Sequence, residues 1–207
     1  MKQNETKVQK NPSPWLRMWL HPKQTVIDSD KRFTVSTYLL IWILGIHVAL
    51  SFAQEVHSGD SHSLGYTLGI SLLRAILYGA VIWGIYGVLS YWLGRLFGGK
   101  GTWRSVFHAL AFAQVPMLGY LVVYWPLALG VFGAALFSSA EVSLDPGQMM
   151  LNLVALLVNL VLGIWYIVTV SKAIAGAHGF SSWKGFLTFV ALIVLIFLLL
   201  MGFQTIG

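Results

Sequence analysis

Residues 149–170 read MMLNLVALLVNLVLGIWYIVTV and contain no charged side chain. A helix that crosses the hydrocarbon core of a bilayer needs about 20 predominantly apolar residues. This stretch, which extends over about 149–175, therefore predicts a transmembrane helix. Four other stretches are also apolar and long enough: about 33–53, about 69–97, part of 105–140, and about 184–203. Together they predict an all-α fold, a polytopic membrane helical bundle.

The composition of the 207-residue chain excludes most soluble classes. Hydrophobic residues make up 57% of the chain and charged residues only 10%, whereas soluble domains carry about 25% charged residues. A disordered coil is excluded, because nine Trp, twelve Phe and eight Tyr are too much apolar mass to stay solvated. The absence of cysteine excludes disulfides, thiolate metal sites and cysteine nucleophiles.

The distribution of charge decides how often the stretch 105–140 crosses the membrane. If it crosses once, every Lys and Arg except Arg74 lies on one side of the membrane. The charged residues of the opposite loops are then all acidic: Glu55, Asp60, Glu141 and Asp145. Cytoplasmic loops are enriched in Lys and Arg. The split therefore predicts five transmembrane helices in the plasma membrane, with a cytoplasmic N-terminus and an extracytoplasmic C-terminus. Two crossings would move Lys172 and Lys184 outside.

One or two short helices are predicted to lie in the inner interface and contact lipid. The expected organisation is a cytoplasmic polar tail and an interfacial helix over 1–32, followed by a five-span membrane domain over 33–207. Trp15 and Trp19 lie among cations, as suits the headgroup layer of an anionic leaflet.

A second interfacial helix is predicted over 102–114. There, Trp103 belongs to one apolar helical face, while Arg104, Ser105 and His108 lie off it. This helix would contact lipid through Trp103 and Arg104 and bend at Pro116 into the third span. The alternative is one long, tilted and kinked span.

Polar side chains form a candidate seam along the fourth predicted span. Asn152, Asn159 and Tyr166 fall on one helical face. Amides in hydrocarbon seek hydrogen bonds between helices, and His47 and Gln114 are the expected partners. The seam would serve either as a pathway for a solute, proton or headgroup, or as packing contacts between helices. The second interpretation is favoured, because no carboxylate lies along the seam to relay protons.

Arg74 lies well inside a predicted span, where a charge is costly. It is a candidate site for an anion or headgroup, or a structural ion pair with an acid of the outer loops. The sequence shows no catalytic motif and no spacing of an established metal or cofactor site. It also shows no basic patch of the kind that binds nucleic acid. No enzyme activity, metal, cofactor or nucleic-acid partner is therefore expected.

Three segments carry a combined pattern of small, aromatic and basic residues: PW and HPKQT within 14–25, GGKGTWR and ALAFAQVP within 98–116, and IWY, AHGFS and WKG within 164–185. In this order they resemble the Yip domain, the family of Ypt/Rab-interacting membrane proteins, in its bacterial form, over about residues 14–205. The resemblance implies five spans with a cytoplasmic N-terminus. Eukaryotic members of the family bind prenylated Rab GTPases, a role that does not carry over, because bacteria lack Rab trafficking.

The expected function is that of a non-catalytic membrane organiser or adaptor. It would act through membrane lipids and unidentified membrane protein partners, among them a second copy of the chain. The alternative is a small transporter or lipid-translocating protein that uses the seam. An intramembrane enzyme has the least support, since the predicted spans hold no carboxylate, cysteine or paired histidines.

Overall fold

The computed structural model describes residues 13–206, and the predicted polar tail over residues 1–12 lies outside the described residues. Regular structure in the described part is helical throughout. The principal helices are α1 (Pro14–Leu20), α2 (Pro22–Asp28), α3 (Val35–Glu55), α4 (Leu64–Leu96), α5 (Trp103–Phe112), α6 (Met117–Gly119), α7 (Trp125–Phe132), α8 (Pro146–His178) and α9 (Ser182–Ile206). Five segments are long and apolar enough to cross a membrane. The predicted all-α bundle with five transmembrane segments is confirmed.

The ends of the long helices are set by capping residues rather than by hydropathy. At the start of α8, Asp145 and Gln148 each accept a hydrogen bond from the other's backbone N–H, which satisfies two free donors. At its end, Gly179 adopts a left-handed φ of 72°, which glycine does without steric cost. Gly98 does the same with a φ of 83° after α4. With caps at Asp145 and Gly179, α8 extends beyond the predicted stretch 149–175 at both ends.

The third apolar segment, 103–137, is helical but interrupted. Helix α5 ends at Phe112 and α6 begins directly after Pro116, so the helix is interrupted at the proline where a bend was predicted. A π-helical turn over Tyr120–Tyr124 follows and leads into α7. Proline lacks the N–H of a regular helical bond. Pro126 therefore leaves a carbonyl of the preceding turn without its helical partner, and widened turns often accommodate such a loss.

Helix α5 packs within the bundle on more than its apolar face, which differs from the predicted helix lying in the inner interface. Ser105 and His108, which were predicted to lie off the apolar face, are buried, and residues 109–117 are buried without interruption. The hydroxyl of Ser105 donates to the carbonyl oxygen of Ala177 at 3.3 Å. Neighbouring helices thus supply the polar contact that was expected from the headgroup layer. The alternative of a kinked span describes 103–137 better.

Helices α3 and α4 pack at backbone contact through two glycines. A Cβ atom added to Gly45 would lie within 1.8 Å of the Ala75 carbonyl oxygen, and one added to Gly79 within 2.2 Å of the Ile41 carbonyl oxygen. Small residues allow such close approach in membrane helices. By contrast, a Cβ atom at Gly65 or Gly69 would meet nothing within 4 Å. Gly65 and Gly69, a G-x-x-x-G pair at the start of α4, therefore face outward, whereas the close contact with α3 is made by Gly79.

The two ends of the bundle differ in charge. The basic end comprises α1, α2, the connections 29–34, 97–102 and 179–181, and the adjoining ends of the long helices. It carries every Lys and Arg of residues 13–206 except Arg74. The opposite, acidic end comprises the connections 56–63 and 138–145. There Asp60 joins the two connections, because its Oδ1 accepts from the Ser138 hydroxyl and from the Ser139 N–H. These hydrogen bonds lower the pKa of Asp60 from 3.8 to about 2.

Candidate functional site

His178, the last residue of α8, is the centre of the basic end. Its side chain is buried, and its ring stacks on Phe180 with the planes 4° apart. The ring Nε2 lies 3.2 Å from the Ser90 carbonyl oxygen of α4. The side chain thus joins the C-terminal end of α8 to the C-terminal half of α4.

Three glycines form the walls around this ring. A Cβ atom added to Gly94, Gly99 or Gly101 would lie between 2.3 and 2.9 Å from an atom of the imidazole. The backbone therefore approaches the ring more closely than any other residue type would permit. The end of α4 and the glycine-rich connection after it thus enclose the His178 side chain. We call this arrangement of His178, Gly94, Gly99 and Gly101 the His178 junction.

Further hydrogen bonds hold the connections of the basic end to the junction. The Lys100 N–H donates to the His178 carbonyl oxygen at 3.0 Å. The Lys184 ammonium donates to the Phe97 carbonyl oxygen at 3.1 Å, and the Lys23 ammonium to the Phe180 carbonyl oxygen at 2.8 Å. Carbonyl groups that end α4 and follow α8 are thereby satisfied by lysines, as is favourable at helix C-termini.

Helix α2 lies against α8, and α1 is joined to α2. Val26 is buried, and a Cβ atom added to Gly176 would lie 2.8 Å from the Lys23 carbonyl oxygen. The Arg17 guanidinium pairs with Asp28 at 2.7 Å, which joins α1 to α2 and lowers the pKa of Asp28. Because α2 contacts α8, and the glycine connection surrounds His178, segments from all three parts of the sequence pattern meet at the basic end.

The predicted lipid-contacting residues differ in their surroundings. Trp15 and Trp19 are half-buried and pack against the apolar core, while Met18 between them is fully buried. Trp103 is 41% exposed and stacks on Tyr91 with the ring centroids 3.9 Å apart. Arg104 is exposed, and its Nε donates to the Lys31 carbonyl oxygen at 2.9 Å. Each of these side chains therefore has a contact within the protein beside its outward face.

The exposed surface of α1 is apolar. Leu16 and Leu20 are 64% and 69% exposed, on a helix whose Met18 is buried. A helix with buried and exposed apolar side chains on different faces is covered by protein on one face only. The second face lies at the periphery of the basic end, where the headgroup layer is expected from the charge distribution.

The polar seam forms contacts between three segments, although not in the expected pairing. The Tyr120 hydroxyl donates to the backbone carbonyl oxygen of Asn159 at 3.2 Å and lies 3.4 Å from its Oδ1. His47 accepts a hydrogen bond from Trp125 Nε1 at 3.3 Å, and its ring centroid lies 4.5 Å from that of Tyr120. The seam therefore joins α3, the π-helical turn and α8 at mid-height.

The other predicted members of the seam lie outside this contact. The Gln114 amide donates to Leu110 of its own segment, four residues earlier. Tyr166 packs edge-to-face against Phe189 of α9, and Asn152 is half-buried near the start of α8. Among the described residues, Tyr120 connects Asn159 with His47, and hydrogen bonds do not extend this contact to Asn152, Tyr166 or Gln114.

Arg74 lies on the exposed face of α4. Among residues 13–206, the ion pairs join Arg17 to Asp28 and Arg32 to Asp30, so Arg74 is not paired with a described acid. Of the outer-loop acids expected as partners, Asp60 is bonded to Ser138 and Ser139 instead.

Sequence reasoning did not identify His178, Tyr120 or Trp125 as site residues. The signal for His178 was present, because glycines recur at 94, 98, 99 and 101 and a further histidine–glycine pair ends α8. That pattern shows where backbones come close but not which side chain they enclose. Tyr120 and Trp125 resemble the many aromatic residues of the spans, and only the packing shows that they contact seam residues.

Comparisons with known proteins agree with the pattern of the three segments. A family model described as Yip1 domain matches residues 16–203, which is nearly the whole chain. No curated protein and no solved structure matches the chain.

Proposed function

The chain belongs to the Yip1 domain family, and from this premise we propose that it is a non-catalytic membrane organiser or adaptor. It acts at the inner face of the plasma membrane through lipids and membrane protein partners. The protein is a multi-pass membrane protein with five candidate spans. The N-terminus is cytoplasmic and the C-terminus extracytoplasmic, since the basic end then faces the cytoplasm. Residues 1–32 form the cytoplasmic region and 33–207 the membrane domain.

The observation that carries the proposal is the way α1 is held. Met18 and the Arg17–Asp28 pair attach the helix to the bundle, while Leu16 and Leu20 remain exposed. Five spans already anchor the chain, so the exposed leucines are not needed for membrane attachment. A peripheral helix that inserts apolar side chains expands one leaflet. The result is a preference for curved membrane or a docking surface at the headgroup level.

The His178 junction supports the same function. Residues of the family pattern form close contacts of glycine, histidine and lysine at one end of the bundle, where α2 packs against α8. Such packing yields a rigid platform. A catalytic centre would instead need a reactive group that opens toward a substrate.

Curvature sorting in native orientation tests the proposal. Tethers pulled outward from bacterial spheroplasts compress the inner leaflet, so a protein that expands this leaflet should be depleted from them. The parent, tagged with a fluorescent protein at its N-terminus, should be depleted, and the variant Leu16→Gln/Leu20→Gln should be depleted less. A matched control, Val56→Gln/Val142→Gln, changes two exposed side chains at the acidic end and should behave as the parent. Equal distribution of all three proteins would contradict the proposal.

A small transporter or lipid-translocating protein is the second candidate, because Tyr120, Asn159 and His47 bring polar groups together inside the bundle. Flux of fluorescent lipid and of small solutes, measured in reconstituted vesicles, separates the two. The organiser should give the flux of protein-free vesicles. Flux above that level, lost in a stably folded Asn159→Leu variant, would establish the transporter instead.

A further inference from the structure

A cleft opens at the basic end between the α1–α2 corner, α8 and the start of α9. It has a volume of about 440 Å³, and its lining includes Leu20, Lys23, Ile27, Lys172 and Ser182. Two of its lining residues are lysines, and none is a carboxylate. The cleft is therefore a locally cationic cavity, separate from the His178 junction and from the seam.

Lys172 is the less constrained of the two cations. It is half-buried on α8, and no acid within residues 13–206 pairs with it, because the ion pairs there involve Arg17 and Arg32. It lies six residues before His178, or about 9 Å along the helix axis at 1.5 Å per residue. An unpaired lysine at that depth from the end of a span suits the boundary between headgroups and acyl chains.

The Lys23 ammonium has N–H donors beyond the one used within the protein. One N–H of its ammonium bonds to the Phe180 carbonyl oxygen at 2.8 Å, and an ammonium group carries three donors. The hydrogen bond to Phe180 holds the ammonium at the cleft and leaves its charge and two N–H donors available to a ligand. Two cations and their remaining N–H groups offer a phosphate both charge compensation and hydrogen bonds.

The margin of the cleft is apolar. Leu20 is 69% exposed and Ile27 is 48% exposed, and both line the cleft beside the lysines. A soluble anion would gain nothing from these side chains. A phospholipid would gain from both parts, since its phosphate meets the lysines and the beginning of an acyl chain covers Leu20 and Ile27.

We propose that this cleft binds the phosphate headgroup of an anionic phospholipid, held by Lys23 and Lys172 with an acyl chain against Leu20 and Ile27. The proposal rests on the proposed function for the placement of the basic end at a lipid surface and deepens it by naming the lipid class. The lipid binds to one defined cleft, whereas the leucines of α1 act on the leaflet as a whole.

Lipid binding to the detergent-solubilised full chain tests the site without any need for curvature or partners. Phosphatidylglycerol, phosphatidylcholine and inorganic phosphate are titrated separately. Native mass spectrometry counts bound lipid, and thermal unfolding measures the stabilisation. Phosphatidylglycerol should bind and raise the unfolding temperature more than phosphatidylcholine or phosphate. If curvature sorting fails but this selectivity holds, the organiser function is wrong and the site stands.

Three variants locate the binding. Lys172→Gln should weaken phosphatidylglycerol affinity about fivefold, the effect of removing one cation worth about 1 kcal/mol near a lipid surface. Lys172→Arg should retain binding. The matched control Lys100→Gln removes an exposed charge from the same end, outside the cleft, and should bind as the parent does.

A second approach does not depend on the lysines. Ile27→Asp places a carboxylate at the exposed margin of the cleft and should likewise weaken selective binding, while gel filtration and unfolding confirm that the variant folds. The proposal is overturned if phosphatidylglycerol binds no better than phosphatidylcholine, or if Lys100→Gln weakens binding as much as Lys172→Gln. An equal stabilisation by inorganic phosphate would likewise overturn it, because the cleft would then be an anion site that does not select lipid.

Discussion

The imidazole Nε2 of His178 lies 3.2 Å from the carbonyl oxygen of Ser90. A carbonyl oxygen can only accept, so this nitrogen carries the ring proton and donates it. The bond connects the end of α8 to α4 through a ring that Gly94, Gly99 and Gly101 enclose. The basic end is thus built around one histidine, and its packing can be tested by changing the ring and its glycines together.

The first prediction concerns Gly94 and His178. A Cβ atom at Gly94 would lie 2.3 Å from His178 Nε2, and its three nearest neighbours all belong to this ring. Gly94→Ala should therefore destabilise the parent strongly but cost much less in a His178→Ala background. A double-mutant cycle of thermal unfolding should give a coupling of about 1 kcal/mol or more.

Gly84→Ala, in the same helix but with nothing within 4 Å of its Cβ position, is the control for the cycle and should show no coupling to His178→Ala. Additive effects of Gly94→Ala and His178→Ala would mean that the ring does not occupy the space next to Gly94.

The second prediction concerns the contact between α3 and α4. Gly79→Ala would bring a methyl group within 2.2 Å of the Ile41 carbonyl oxygen, and backbone atoms can yield only if the helices separate. We expect a loss of about 1–3 kcal/mol in the free energy of unfolding, as for an overpacked core. Gly69→Ala, whose Cβ position is open, should be neutral or slightly stabilising because alanine favours helix. Equal effects in chemical unfolding would contradict the close packing.

The third prediction concerns the seam. Tyr120→Phe removes the hydroxyl that lies 3.2 Å from the Asn159 carbonyl oxygen and leaves the ring in place. The expected loss is about 0.6–2 kcal/mol, the range for a hydrogen bond between membrane helices, as measured by unfolding in detergent. Curvature sorting should be unchanged. A variant of parental stability that loses a measured flux would identify the seam as a pathway rather than a packing contact.

The fourth prediction concerns orientation. The chain has no cysteine, so a single introduced thiol gives an unambiguous label. Ser143→Cys at the acidic end should react with an impermeant maleimide on intact cells, and Lys100→Cys at the basic end should react only after permeabilisation. Both positions are exposed. The reverse pattern would place the N-terminus outside and remove the inner leaflet from the proposed function.

The fifth prediction concerns acid stability at the opposite end. The pKa of Asp60 is lowered from 3.8 to about 2 by its bonds to Ser138 and Ser139. For a lowered pKa, the stabilising contribution is complete above the unfolded value and is lost as the pH falls through the folded value. The contribution of Asp60 should therefore disappear between about pH 4 and pH 2. Ser138→Ala should reduce this acid dependence of the unfolding temperature, with Ser143→Ala as the control.

The amino-acid sequence by itself determined the class of protein and the number of spans. Apolar runs such as 149–170 have no stable place outside a bilayer, and the placement of lysines decides between five and six crossings. It also determined a local break, because a proline such as Pro116 within an apolar run removes a helical hydrogen bond and clashes with the preceding turn. The family was recognisable for a similar reason, since its glycine, histidine and tryptophan segments lie in a fixed order along the chain.

Only the tertiary structure decided which side chains meet. Helix α5 has the polar residues of an interfacial helix, yet Ser105 is buried, because Ala177 of α8 accepts its hydrogen bond. Asn159 was expected to pair with His47 or Gln114, but its contact is with Tyr120, the first residue of the π-helical turn. Hydropathy and helical spacing are properties of a single segment of the chain, so the sequence is enough to read them. Hydrogen-bond partners, glycine contacts and the cleft beside Lys172 depend on how segments far apart in the chain pack together.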